Sequence, residues 1–181
     1  IGGDDGRFGL ANAVTATRAA GAATHAAAAM TMGPTDDVAR WGLCAGAAAV
    51  VALDGVDGWI ARRIGRTADF GARFDMEVDA ALMLVLGLLV FSLGEAGVWV
   101  LALGAWRYAF IALAAAVPRF AKPLPPSVRR KPLCALPLIA MTAAIAPFWP
   151  DGAGAALCAL ALAAVSLSFL IDIRSLAKGA V

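Results

Sequence analysis

The chain has 181 residues, 61% of them hydrophobic and only 15% charged, with a formal net charge of +2. Soluble domains carry charge on about a quarter of their residues, so this composition excludes one and reads as an integral membrane protein. No nucleic-acid partner is expected, and Cys44, Cys134 and Cys158 lack the paired spacing of a zinc or redox site and read as packing residues.

Crossing the hydrocarbon takes about 20 apolar residues per helix. Six stretches qualify in chain order: Leu10 to Met32, Val38 to Ile60, Phe74 to Leu93, Gly97 to Val117, Leu133 to Trp149 and Ala153 to Ile171. The expected fold is all-α and polytopic, with six transmembrane helices in a single domain over residues 1–181. The first span lacks a following small-residue cleavage site, so it reads as a span and not as a signal. The small-residue runs AAGAATHAAAA and AGAAAVVALDG favour close helix packing. His25, alone in the first of them, reads as a packing residue with one satisfied hydrogen bond.

Charge orients the spans. Fourteen of the 15 basic residues lie on or towards one side: Arg7 and Arg18, then Arg62, Arg63, Arg66 and Arg73, then Arg107, then the loop from Arg119 to Lys131, then Arg174 and Lys178. Only Arg40 falls elsewhere, and the opposite loops hold Asp36, Asp37, Glu95 and Asp151. By the positive-inside rule both termini face the cytoplasm.

The acids accompanying this basic face need a separate reason. Between Leu53 and Ala80 the chain places six acidic and four basic side chains. Asp54 and Asp57 lie three apart at the end of the second span, and Asp75 and Asp79 four apart where the third begins. Each pair shares a helix face, and a short antiparallel connection lets the pairs converge. Four carboxylates near a membrane surface repel one another and call for a cation. Oxygen ligands without His or Cys suit Mg²⁺ or Mn²⁺, and this cluster has donors enough for two ions. Gly55, Gly58 and Ala61 keep the neighbouring surface small, while Arg62, Arg63 and Arg66 offer donors to phosphate.

DGVDGWIAR, eight residues, then GARFDMEVD resembles the signature of the CDP-alcohol phosphotransferases: DxxDGxxAR, eight residues, GxxxDxxxD. Every fixed position matches: Asp54, Asp57, Gly58, Ala61, Arg62, Gly71, Asp75 and Asp79. The resemblance implies that an acceptor hydroxyl attacks a phosphorus of a CDP-linked alcohol and CMP leaves. It implies metal binding by Asp54, Asp57, Asp75 and Asp79, with Asp79 also taking the acceptor's proton. It implies further that Gly58, Ala61 and Arg62 lie against the cytidine diphosphate and that Gly71 allows close approach there. NAVTATR resembles the NxxTxxR of many relatives, which implies that Asn12, Thr15 and Arg18 line the same cavity, Thr15 towards the CDP moiety and Arg18 towards the acceptor. In relatives using a phosphorylated polyol, basic residues near WRYAF and the following loop hold the acceptor's phosphate, which implies that role for Arg107, Arg129, Arg130 and Lys131.

The resulting expectation is a phosphatidyltransferase of phospholipid synthesis in a bacterial inner membrane, with its active site on the cytoplasmic side. CDP-diacylglycerol would be the donor and glycerol 3-phosphate the first choice of acceptor, with inositol phosphate, inositol and serine as alternatives. The resemblance also implies a homodimer. Asp69 and Glu77 hold no fixed position of the signature, and Glu77, nearly opposite Asp75 and Asp79 on a helix, has no expected role beyond an interfacial or intersubunit contact. A divalent-cation channel or carrier is the reading from another class. It would distribute acids towards the bilayer centre, whereas here they cluster at one interface with arginines. A catalytically silent membrane protein of the same fold would have no need of the complete set of acids.

Overall fold

The computed structural model describes residues 10–31, 36–64, 69–117 and 130–177, with side chains described for all of these except residues 10–15, 26, 29, 54, 56–64, 69–75 and 130–132. The described residues form six helices and no strand: α1 (Leu10–Thr31), α2 (Asp37–Ile64), α3 (Asp69–Ser92), α4 (Ala102–Ala116), α5 (Arg130–Ile145) and α6 (Ala153–Ala177). A short 3₁₀ turn, Val98–Leu101, leads into α4. Each helix contains most of one expected span, but α2, α3 and α6 run past the apolar stretches into charged sequence.

Among the described residues two segments, Val98–Ala116 and Ala153–Ala177, are long and apolar enough to cross a membrane, and Leu133–Ile145 is a shorter apolar helix. Only 17% and 28% of their respective apolar windows are buried within the fold. The core helix of a soluble protein would be mostly covered, whereas these turn side chains such as Leu160 and Leu167 outwards, 70% and 59% exposed.

The helix α3 is central. Leu82, Leu86, Leu89, Val90 and Leu93 recur at helical spacing and are buried against Val100, Leu103, Leu138, Met141 and Cys158. Around it, α1 packs on both α2 and α3, α4 on α3 and α6, and α5 on α2, α3 and α6. Small residues allow two of these close approaches. A Cβ on Gly21 would lie 2.5 Å from Val50 of α2, and one on Gly104 would lie 2.7 Å from Leu84 of α3. His25 bridges α1 to α2, its ring nitrogens 2.8 Å and 3.1 Å from the carbonyl oxygens of Gly21 and Leu43. The ring therefore meets two carbonyls where the sequence suggested one hydrogen bond.

The end of α3 is built for a sharp exit. Glu95 N–H donates to the Val90 carbonyl and Gly94 N–H to that of Phe91, with Gly94 at φ +76°. That pair of bonds is a Schellman cap, whose left-handed position suits glycine. The cap delivers Glu95 to Arg40, the basic residue that breaks the charge pattern. Arg40 Nη2 donates to Glu95 Oε1 at 2.5 Å, and Nε and Nη2 both lie 3.2 Å from the Ile145 carbonyl. One guanidinium thus joins the start of α2, the exit from α3 and the end of α5. Nearby, Trp41 stacks on Phe148 and Trp149 Nε1 donates to the Ala143 carbonyl at 2.8 Å.

Replacing Arg40 by Ala should lower the unfolding free energy by about 2 kcal/mol, because the partly buried Glu95 and a carbonyl lose their donor together. Thermal unfolding in detergent checks this, and an unchanged melting temperature would remove the clasp from the stability account.

Candidate active site

The signature residues lie on two helices that both pack on α1. Asp54 and Asp57 fall on the C-terminal half of α2, and Asp75 and Asp79 on the N-terminal half of α3. Of these four acids, the side chain of Asp79 is described; those of Asp54, Asp57 and Asp75 lie outside the described residues, as do those of Gly58, Ala61, Arg62 and Gly71. Gly55, one residue beyond Asp54, has open space around it, since a Cβ built there meets nothing within 4 Å.

Asp79 is held by Arg18. The guanidinium crosses from α1 and Nη2 donates to Asp79 Oδ1. Arg18 is fully buried and the carboxylate is one-fifth exposed, so the arginine does not snorkel to a surface. Its charge is matched inside the fold, as a buried guanidinium requires. The first-helix arginine and the last acid of the signature, 61 residues apart in sequence, therefore form one unit.

Asp79 also forms part of the wall of a cavity of about 180 Å³ between α3, α4, α5 and α6. Met76, Ala80 and Met83 of α3 share that wall with Leu103 and Arg107 of α4, and Leu133, Cys134 and Pro137 of α5 line the opposite side. Met76, Asp79, Ala80 and Met83 follow the spacing that puts side chains on one helical face. Pro137, inside α5, has no N–H to give the Leu133 carbonyl. Phe169 of α6 completes the wall and is fixed from behind by stacking on Trp106, whose Nε1 donates to Ser166 Oγ at 2.9 Å. Asp79 and Arg107 are the charged residues of an otherwise largely apolar lining.

Arg107 reaches that lining already engaged. Nη2 donates to Glu77 Oε1 at 2.5 Å and Nη1 lies 3.7 Å from Met76 Sδ. Glu77, for which the sequence offers only an interfacial or intersubunit contact, pairs with Arg107 in the structure. Complementary charge on neighbouring spans was the available signal, but which pair meets depends on helix packing. Of the other expected acceptor residues, Arg130 and Lys131 begin α5 with side chains outside the described residues, and Arg129 lies outside them altogether. Thr15 is placed on α1 by its backbone alone. Asp172, buried on α6, went unremarked in the sequence, although an acid within so apolar a helix was itself a signal.

A family model described as CDP-alcohol phosphatidyltransferase matches residues 8–170, most of the chain. No curated protein matches it.

Because Arg18 and Asp79 neutralise each other in the interior, Arg18→Ala should cost about 3 kcal/mol of stability by leaving a carboxylate without its cation. Pairing Arg18→Met with Asp79→Asn should recover part of that loss. Unfolding of the two single variants and the double variant in detergent measures the coupling; additive losses would contradict it.

Proposed function

We propose, for a chain that belongs to the CDP-alcohol phosphatidyltransferase family by its match over residues 8–170, that it moves a phosphatidyl group from CDP-diacylglycerol to glycerol 3-phosphate. Membership gives the coarser statement, a transferase of phospholipid synthesis that uses a CDP-alcohol donor and an alcohol acceptor. The finer reading rests on one observation: Asp79, clamped by Arg18, lines the same cavity as the cationic Arg107. A carboxylate and a guanidinium lining one cavity suit an acceptor carrying both a hydroxyl and a phosphate.

In this reading the acceptor's hydroxyl oxygen attacks the phosphatidyl phosphorus. The bond from that phosphorus to the bridging oxygen of the diphosphate breaks, and CMP leaves with the electron pair. Asp79 takes the hydroxyl proton, and Arg18 keeps its carboxylate aimed at the cavity. Arg107 holds the acceptor's phosphate and so sets the position of the hydroxyl, which is where most of the rate in such transfers originates. Gly58, Ala61, Arg62, Gly71 and Thr15 would hold the CDP moiety, and Arg129, Arg130 and Lys131 would add positive charge on the acceptor's path.

Asp54, Asp57, Asp75 and Asp79 form an all-oxygen donor set spaced three and four residues apart on two helices packed on a third, which fits Mg²⁺ or Mn²⁺. Two such ions, when bound, would neutralise the diphosphate and the leaving group. The outward apolar faces support placement in a membrane, with six spans, the basic side in the cytoplasm and the site at that interface. The donor's acyl chains would then enter from the bilayer while its nucleotide stays in water. A homodimer completes the proposal.

Asp79→Asn should abolish CMP release while leaving binding of a CDP nucleotide within about threefold of the parent, because the amide cannot accept the proton. Turnover and nucleotide binding measured on the same preparation check this, and full turnover would remove Asp79 from the base role.

A further inference from the structure

The carboxylates of Asp79 and Glu77 leave α3 in different directions. Residues two apart are separated by about 200° around a helix, so Asp79 turns to Arg18 of α1 while Glu77 turns to Arg107 of α4. The two pairs differ in burial. Arg18 is fully enclosed, whereas Arg107 and Glu77 have side chains 31% and 52% exposed. The first pair is locked in the interior, and the second can be exchanged.

The atoms of Arg107 define what such an exchange requires. A guanidinium offers a phosphate two parallel N–H bonds along either of two edges, Nε with Nη2 or Nη1 with Nη2. Glu77 holds Nη2, the nitrogen common to both edges. Nη1 meets only the weakly accepting sulfur of Met76, and Nε is buried with no hydrogen-bond partner among the described residues. Arg107 therefore keeps donor capacity on Nε and Nη1, while the Glu77 carboxylate takes one of the two hydrogens on the nitrogen that both edges share and sets a negative charge beside each. A phosphate that pairs with Nη2 along either edge meets the charge of Glu77 at that nitrogen, and the exposure of Glu77 gives it water to move into.

We propose that Glu77 is a specificity-determining residue, an internal carboxylate that competes for Arg107 and yields to a doubly charged phosphate but not to a neutral or singly charged acceptor. This rests on the reading of Arg107 as the acceptor's phosphate-binding residue and adds the element that selects by charge. An open arginine would attract any anion. One closed by Glu77 favours the ligand whose charge and paired oxygens exceed those of a single carboxylate.

The test is initial-rate CMP release with CDP-diacylglycerol and either glycerol 3-phosphate or serine, in the parent, Glu77→Gln, Arg107→Ala and the double variant. Glu77→Gln should lower the KM for glycerol 3-phosphate about three- to tenfold, the range expected from removing an exposed competing charge. It should leave the KM for CDP-diacylglycerol unmoved. Arg107→Ala should raise the KM for glycerol 3-phosphate, and adding Glu77→Gln to it should change nothing further, because Glu77 acts only through Arg107. If Arg107→Ala raises that KM but Glu77→Gln does not lower it, the competition is overturned and the acceptor reading stands. If Arg107→Ala leaves it unmoved, or serine alone supports turnover, the acceptor reading fails and the proposal with it.

Discussion

A guanidinium buried without a counter-charge would cost several kcal/mol, and Arg18 escapes that cost by binding Asp79. That pair ties the first helix to the central one. It fixes α1 to α3 at the height of the signature acids, and it gives the carboxylate one orientation at the cavity wall. Two further arginines hold α3 along its length, Arg107 through Glu77 and Arg40 through Glu95, just past the helix end. Among the described residues, three guanidinium–carboxylate ties thus anchor α3 and its exit to α1, α4 and α2. The apolar surfaces leave much freedom for sliding and rotation. Directional charged bonds remove it.

This arrangement separates a fixed part of the site from an adjustable one. Arg18 is enclosed and Asp79 only one-fifth exposed, which suits a proposed base that must stay in register with the other signature carboxylates. Arg107 and Glu77 are half exposed, which suits a binding element that changes partners as acceptor enters and product leaves. Between them lies a cavity walled by Met, Leu, Pro and Phe side chains. In such a wall a few polar groups determine how a ligand lies, because there is little else for it to bond.

Much of the helical layout was legible in the sequence, because apolar length marks a helix core wherever that helix finally sits. The boundaries were less so. Hydropathy stopped the second span at Ile60 and began the third at Phe74, yet α2 continues to Ile64 and α3 starts at Asp69. Charged residues end an apolar stretch without ending a helix. In α5 the helix stops at Ile145, short of Trp149, with Pro147 close behind it, whereas Pro137 is accommodated within it. The signature acids were readable because their spacing is local. Their partners were not: Arg18 with Asp79, Arg107 with Glu77 and Arg40 with Glu95 each join different helices, and no periodicity in a single segment encodes that choice. Arg40 shows the limit well, since its position was conspicuous as the exception in the charge pattern while its partners needed the fold.

Phosphatidyl transfer from a CDP-linked lipid to a phosphorylated alcohol is measured most directly as CMP release by the purified protein with CDP-diacylglycerol and Mg²⁺ or Mn²⁺, comparing glycerol 3-phosphate, inositol phosphate, inositol and serine separately. Release should depend on the acceptor and be greatest with glycerol 3-phosphate, accompanied by the matching phosphatidyl product. No release with any acceptor under either cation would contradict that transfer.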